Sequence, residues 1–286
     1  MRPIGIFDSG VGGLSVLRSL RQLLPAEAVI YLADQAHVPY GPRPLEEVRG
    51  FSEQITRYLL GEGAKLVVVA CNTASAAALQ HLRQAFPGVP FVGMEPAVKP
   101  AAEQTRTGKV GVLATPATFQ GALYASVVER FAQGVLLLQS TCPGLVGQIE
   151  AGDLDGPLTR CILEDALQPM LQKGIDTVVL GCTHYPFVIP LIEEIAGPQV
   201  RVIDPAPAVA RQVRRLLAEH DLREPVETGA GQYRFITSGD PAALSTALPR
   251  LLGEAGDVER IFWEENRLVK PTPGEGVEPA PASPVV

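Results

Sequence analysis

Two cysteines stand in matching surroundings. Val67-Val68-Val69-Ala70-Cys71-Asn72-Thr73 is echoed by Val178-Val179-Leu180-Gly181-Cys182-Thr183, and His184 follows. Each is an apolar, β-type run that ends at a thiol and continues into side chains carrying amide, hydroxyl or imidazole groups. A thiol at the carboxyl end of a buried strand faces the amino end of the next helix. That positive dipole end favours thiolate and is expected to lower the pKa from its ordinary ~8.5. If the two halves of the chain face each other, a ligand carbon between them meets one sulfur on each side. One thiolate can remove a proton and the opposite thiol can return one, inverting the centre. General acid–base catalysis of this kind supplies about 10²–10⁴-fold, and the rest must come from carbanion stabilisation and positioning. A lone buried cysteine is usually inert packing. The repeated context argues against that for this pair, whereas Cys142 and Cys161 lack such a context and read as structural. No two cysteines form C-x-x-C, so no metal site is expected.

Other residues could assist. Asp8-Ser9-Gly10-Val11-Gly12-Gly13 joins a strand to a helix through glycines that permit tight turning and close approach. It is not G-x-G-x-x-G, so a dinucleotide site is poorly supported. Asp8 is either a helix cap or a carboxylate that accepts a proton or a substrate ammonium. The loop Asp34–Arg43, stiffened by proline and glycine, is either a surface turn or a cleft wall. Thr115 and Thr118 sit where the second half repeats the Asp8 position; they either bind a carboxylate or cap a helix. Spacing alone leaves Glu150 undecided. His81 and His220 lie in mixed-polarity helical segments and read as surface residues.

These residues need a scaffold. Pro3–Phe7, Ala28–Ala33, Lys65–Ala70, Val89–Gly93, Lys109–Leu113, Val135–Gln139, Asp176–Leu180 and Val200–Ile203 read as strands buried on both faces. Leu14–Leu24, Leu45–Leu60 and Thr73–Phe86 have helical spacing. The alternation predicts an α/β fold of mostly parallel sheets flanked by helices. Ile4–Ser9 resembles Val110–Thr115, and Met94-Glu95-Pro96-Ala97 resembles Ile203-Asp204-Pro205-Ala206. With the cysteine blocks, three segments recur in order about 110 residues later, which suggests two similar halves with the site between them. The acid–proline blocks are natural crossing points. Residues 1–95 with 208–265 are expected to form one domain, through a helix at Ala208–Glu219, a strand at Tyr233–Thr237, a helix at Pro241–Leu252 and a strand at Val258–Trp263. Residues 96–207 form the other, and the proline-rich 266–286 is expected to be a disordered tail.

Bulk properties narrow the function. The chain has 286 residues, 46% hydrophobic and 19% charged, with a net charge of −7. That balance argues against nucleic acid as a partner but not against a small acidic ligand. The opening residues lack the apolar run of a signal peptide, and no stretch nears the ~20 apolar residues of a membrane span, so a cytoplasmic protein without membrane partners is expected.

The segments IGIFDSGVGG (4–13), ADQAHVPYG (33–41), ACNTASA (70–76), GMEPA (93–97), LATPAT (113–118) and GCTHYP (181–186) resemble the glutamate racemases of the cofactor-independent aspartate/glutamate racemase superfamily. The likeness runs through the first 205 or so residues and implies interconversion of L- and D-glutamate, supplying D-glutamate for peptidoglycan. It implies no cofactor, and a homodimer. It also implies Cys71 and Cys182 as the acid/base pair, Cys182 acting on the L-isomer and Cys71 on the D-isomer. Asp8 near Cys71, and His184 with Glu150 near Cys182, become assisting groups. Asp8, Ser9, Tyr40, Gly41, Asn72, Thr73, Thr115, Thr118, Thr183 and His184 become substrate contacts. Other readings are a racemase of aspartate or another small acid, an enzyme using Cys182 as a nucleophile activated by His184, and a two-lobed binding protein without catalysis.

Overall fold

A computed structural model describes residues 2–225 and 229–271. Twelve strands are present among them: β1 (Ile4–Asp8), β2 (Val29–Ala33), β3 (Leu66–Val69), β4 (Phe91–Gly93), β5 (Lys109–Ala114), β6 (Leu136–Ser140), β7 (Thr177–Gly181), β8 (Arg201–Ile203), β9 (Tyr233–Thr237), β10 (Val258–Arg260), β11 (Phe262–Glu264) and β12 (Arg267–Val269). The helices of the first half are α1 (Leu14–Leu23), α2 (Leu45–Gly61) and α3 (Asn72–Ala85). Those of the second are α4 (Val98–Gln104), α5 (Pro116–Gln120), α6 (Ala122–Phe131), α7 (Leu145–Glu150), α8 (Pro157–Gln172) and α9 (Ile189–Ala196). The last are α10 (Ala206–Glu219) and α11 (Pro241–Leu251).

Two parallel sheets result. One has six strands in the order β10-β9-β2-β1-β3-β4, the other four in the order β6-β5-β7-β8. The inner four strands of the first half, β2-β1-β3-β4, and the four of the second follow the same order. The sequence echo is therefore an echo of topology. Cys71 follows β3 and Cys182 follows β7, the equivalent strands. Every residue of β1, β2, β3 and β7 is buried, as continuous Val/Ile/Leu runs require when helices cover both faces. Each such side chain contributes about 1.5–3 kcal/mol on burial.

After β8 the chain returns as α10, which packs on α1, and β9 and β10 extend the first sheet beside β2. The expected strand Val258–Trp263 is broken at Ile261, whose side chain is fully buried. The expected tail also begins too early. Arg267–Val269 pairs antiparallel with Phe262–Glu264 as β12. Glu265 (φ 43°) and Asn266 (φ 65°) both take positive φ, the geometry of a tight two-residue hairpin turn that asparagine tolerates well. Trp263 and Leu268 rest against the core beside α2, so the hairpin has an apolar reason to dock. Residues 272–286 lie outside the described residues.

Candidate active site

The cleft between the two sheets holds a cavity of about 600 Å³, lined from one side by Ser9, Tyr40, Gly41, Cys71, Asn72 and Thr73, and from the other by Thr115, Cys182, Thr183 and His184. The two cysteines thus open onto the same space, each 5% exposed. Asp8, Thr118 and Glu150 stand behind this lining. Thr118 Oγ1 lies 2.9 Å from Thr115 Oγ1, which in turn lies 2.9 Å from Thr73 Oγ1, so a hydroxyl ladder crosses between the halves. Thr115 also caps α5, accepting the Thr118 N–H. The lining further includes Cys142 and Tyr185, which the sequence did not single out as site residues. Cys142 turns at the end of β6 with φ 43°, and burial pushes its thiol up to about 12.

Cys71 is the N-cap of α3, its Sγ accepting the Ala74 N–H at 3.4 Å. The expected lowering of its pKa is not what results. Burial and the neighbouring Asp8 carboxylate push the thiol well above 9.0, overcoming the Ala74 N–H. Desolvation disfavours charge more strongly than one helix end favours it. Asp8 closes β1 with no exposure at all; its oxygens accept the N–H of Ser9 (2.7 Å), the N–H of Gly13 (2.5 Å) and the Thr183 hydroxyl (3.3 Å) from the other half. Burial raises its carboxyl from 3.8, against the pull of His184.

Cys182 is built differently. No α-helix follows it; the chain enters a 3-10 turn at Tyr185–Val188 before α9. Its partner is His184, whose Nδ1 lies 3.7 Å from the sulfur and whose Nε2 lies 2.6 Å from Glu150 Oε1. Burial works against charge on His184, yet the hydrogen bonds to Cys182 and Glu150 hold the imidazole well above 6.5. Burial likewise opposes charge on Glu150, and His184 together with the Val11 N–H holds it below 4.5. An imidazolium–carboxylate pair therefore backs one sulfur and a buried carboxyl backs the other.

The glycine-rich turn explains how the halves come this close. A Cβ on Gly10 would overlap the Glu150 carboxylate, and one on Gly12 would overlap the His184 ring and the Thr183 hydroxyl. These glycines admit side chains of the facing half rather than a phosphate.

The profile of the Asp/Glu/Hydantoin racemase family matches residues 4–213. The chain belongs to the Asp/Glu/Hydantoin racemase family. It is therefore an isomerase, an amino-acid racemase. A glutamate racemase of Roseiflexus sp. (strain RS-1) is 52% identical over 250 residues, covering 87% of this chain and 92% of the relative. Escherichia coli glutamate racemase, solved with L-glutamate and an activator, is 31% identical at a TM-score of 0.80, covering 94% of this chain and 100% of that one. Francisella tularensis glutamate racemase, solved with D-glutamate, is 30% identical at a TM-score of 0.79, covering 91% and 97%.

Two features of this racemase cleft bear on what it can hold. Both side-chain polar atoms of Asn72 are buried with no hydrogen-bond partner among the described residues. Buried amides are almost always satisfied, so this one is prepared for a polar group of a ligand. The Tyr40 hydroxyl, by contrast, is turned away, donating to Asp34 Oδ2 at 2.6 Å. Tyr40 and Gly41 therefore form a wall through ring and backbone. Among the described residues, no cluster of three or more His, Cys, Asp or Glu side chains could hold a metal ion, and no helix is long and apolar enough to cross a membrane.

Proposed function

We propose that this racemase interconverts L- and D-glutamate by two-base proton transfer between Cys71 and Cys182, and that it supplies D-glutamate for peptidoglycan in the cytoplasm. The observation that carries the reading is that two sulfurs at equivalent strand ends, one per half, line a single cavity. Segments 1–95 with 208–265 and 96–207 act as the two domains that close on the substrate.

In the L-to-D direction, Cys182 as thiolate takes the α-proton and Cys71 as thiol delivers its own proton to the opposite face. The product leaves Cys182 as thiol and Cys71 as thiolate, the state that runs the reverse reaction. The raised thiol of Cys71 suits it as the proton donor, and His184, 3.7 Å from Cys182 Sγ, is placed to assist that sulfur. Asn72, Thr73, Thr115 and Thr183 supply donors for the substrate carboxylates, with Ser9 at the same wall, while Thr118 acts through Thr115 and Asp8 steadies Cys71 from behind the lining. Glutamate, rather than another acid, rests on the named relatives.

The test is incubation with L-glutamate in deuterated buffer, with no added cofactor, alongside L-aspartate. Deuterium at the α-carbon of D-glutamate is expected. Cys71→Ser and Cys182→Ser should each reduce racemisation by about 10²–10⁴-fold. No α-exchange of either acid, or full activity in either variant, would overturn the reading.

A further inference from the structure

The loop that forms the Tyr40–Gly41 wall is anchored by one buried carboxylate that the mechanism above does not use. Asp34 follows β2 and has no solvent exposure. Its two oxygens serve different parts of the chain. Oδ2 accepts from the loop itself: the Tyr40 hydroxyl at 2.6 Å and the His37 ring at Nδ1, 2.9 Å away. Oδ1 accepts from the C-terminal return: the Ser238 hydroxyl at 2.6 Å and the Trp263 indole N–H at 2.7 Å. Ser238 also accepts the Ala36 N–H at 3.1 Å, pinning the start of the same loop. An apolar frame surrounds the carboxylate, with His37 stacked on Phe51 at 3.9 Å and Trp263 against both rings. Four donors on one desolvated carboxylate form a network whose members depend on each other, because any donor left unpaired there bears its full desolvation cost.

We propose that Asp34 is a positioning residue: its carboxylate ties the β11–β12 hairpin and the end of β9 to the Tyr40–Gly41 wall, so that segments more than 200 residues downstream set the shape of the substrate cleft. Asp34 touches neither cysteine nor the cavity. It acts through Tyr40, which lies in one buried cluster with Cys71 and lines the cavity beside it. A wall that meets the substrate equally in ground and transition states controls KM more than kcat. The kinetic arm of the test rests on the glutamate reading; the alkylation arm does not.

Three variants address it. Asp34→Asn removes the charge and turns one of the two acceptor oxygens into a donor, so the hydrogen bonds on that side must reverse or be lost. Trp263→Phe removes one donor to Oδ1, and Ser238→Ala removes the other together with the acceptor of the Ala36 N–H; both keep the carboxylate, which keeps the question open to measurement if Asp34→Asn fails to fold. KM for L-glutamate should rise about tenfold or more in Asp34→Asn and about threefold in Trp263→Phe, with kcat changed less. Independently, iodoacetamide labelling read by peptide mass should accelerate several-fold at Cys71 in all three variants, against the exposed Cys161 as internal standard. A parent inert towards glutamate refutes the glutamate reading alone, and labelling at Cys71 then decides for Asp34. Unchanged labelling at Cys71, or a fall in apparent kcat at constant KM that follows the loss of melting temperature, would show Asp34 to be a stabilising residue only and overturn the proposal.

Discussion

His184 Nε2 and Glu150 Oε1 lie 2.6 Å apart, and the same Glu150 oxygen accepts the backbone N–H of Val11 from the opposite half at 2.8 Å. One carboxylate thus holds the imidazole behind Cys182 and clasps the glycine-rich turn across the cleft. The contact between the halves and the partner of the His184 ring are thus the same side chain.

The two duties separate by substitution. Glu150→Gln keeps an acceptor for the Val11 N–H but removes the charge that supports the imidazolium. It is expected to reduce kcat/KM by about 10²-fold or more with little change in melting temperature. Glu150→Ala removes the clasp as well and should lower both. Equal losses of stability in the two variants, measured by thermal unfolding beside the kinetics, would contradict the division.

Gly12→Ala tests the closeness of the halves. The new methyl would meet the His184 ring and the Thr183 hydroxyl. Overpacking of this kind costs about 1–3 kcal/mol. The expected result is a folded protein with kcat/KM lowered at least about tenfold, because His184 must shift away from Cys182. Denaturant titration and steady-state kinetics on the same preparation check it, and parental kinetics would contradict it.

Asn72→Ala should separate binding from stability. An unsatisfied buried amide costs about 1–3 kcal/mol, so its removal is expected to leave the ligand-free melting temperature unchanged or higher while KM rises about tenfold. A lowered melting temperature with an unchanged KM would mean that the amide serves the fold.

Cys71 carries a pH dependence of definite sign. Its folded pKa lies well above 9.0, chiefly through burial and then through Asp8. The folded state therefore holds this proton after the unfolded chain has released it. The associated stability is complete only well below the unfolded thiol's ordinary ~8.5 and is lost as pH rises through that value towards the folded one. Cys71→Ser has no such proton. Relative to the parent, it should gain stability between pH 8 and 10.5, read as a shift of urea midpoints; parallel pH curves would contradict the assignment.

The strands of the two parallel sheets, the helices of the first half and the matching of the two thiols were legible in the sequence; the helices of the second half and the β11–β12 hairpin were not. Unbroken Val/Ile/Leu runs signal strands covered on both faces, and the recurrence of the Cys71 block at Cys182 follows from the repeated strand order of the two sheets. Asp8, Asn72, Thr73, Thr183 and His184 were within reach because they neighbour those strand ends.

What lay beyond reach were contacts between residues far apart in the chain. Glu150 meets Val11 across 139 residues, and Asp34 meets Trp263 across 229. Local patterning decides helix or strand because side chains two, three or four positions apart share a face. Nothing in it specifies which face of one half meets which face of the other. Tertiary packing alone turned the Tyr40 hydroxyl towards Asp34, made Gly10 and Gly12 room for Glu150 and His184, and raised the Cys71 thiol that a helix end by itself would have lowered. Desolvation depends on everything that surrounds a group, and the surroundings exist only once the chain has folded.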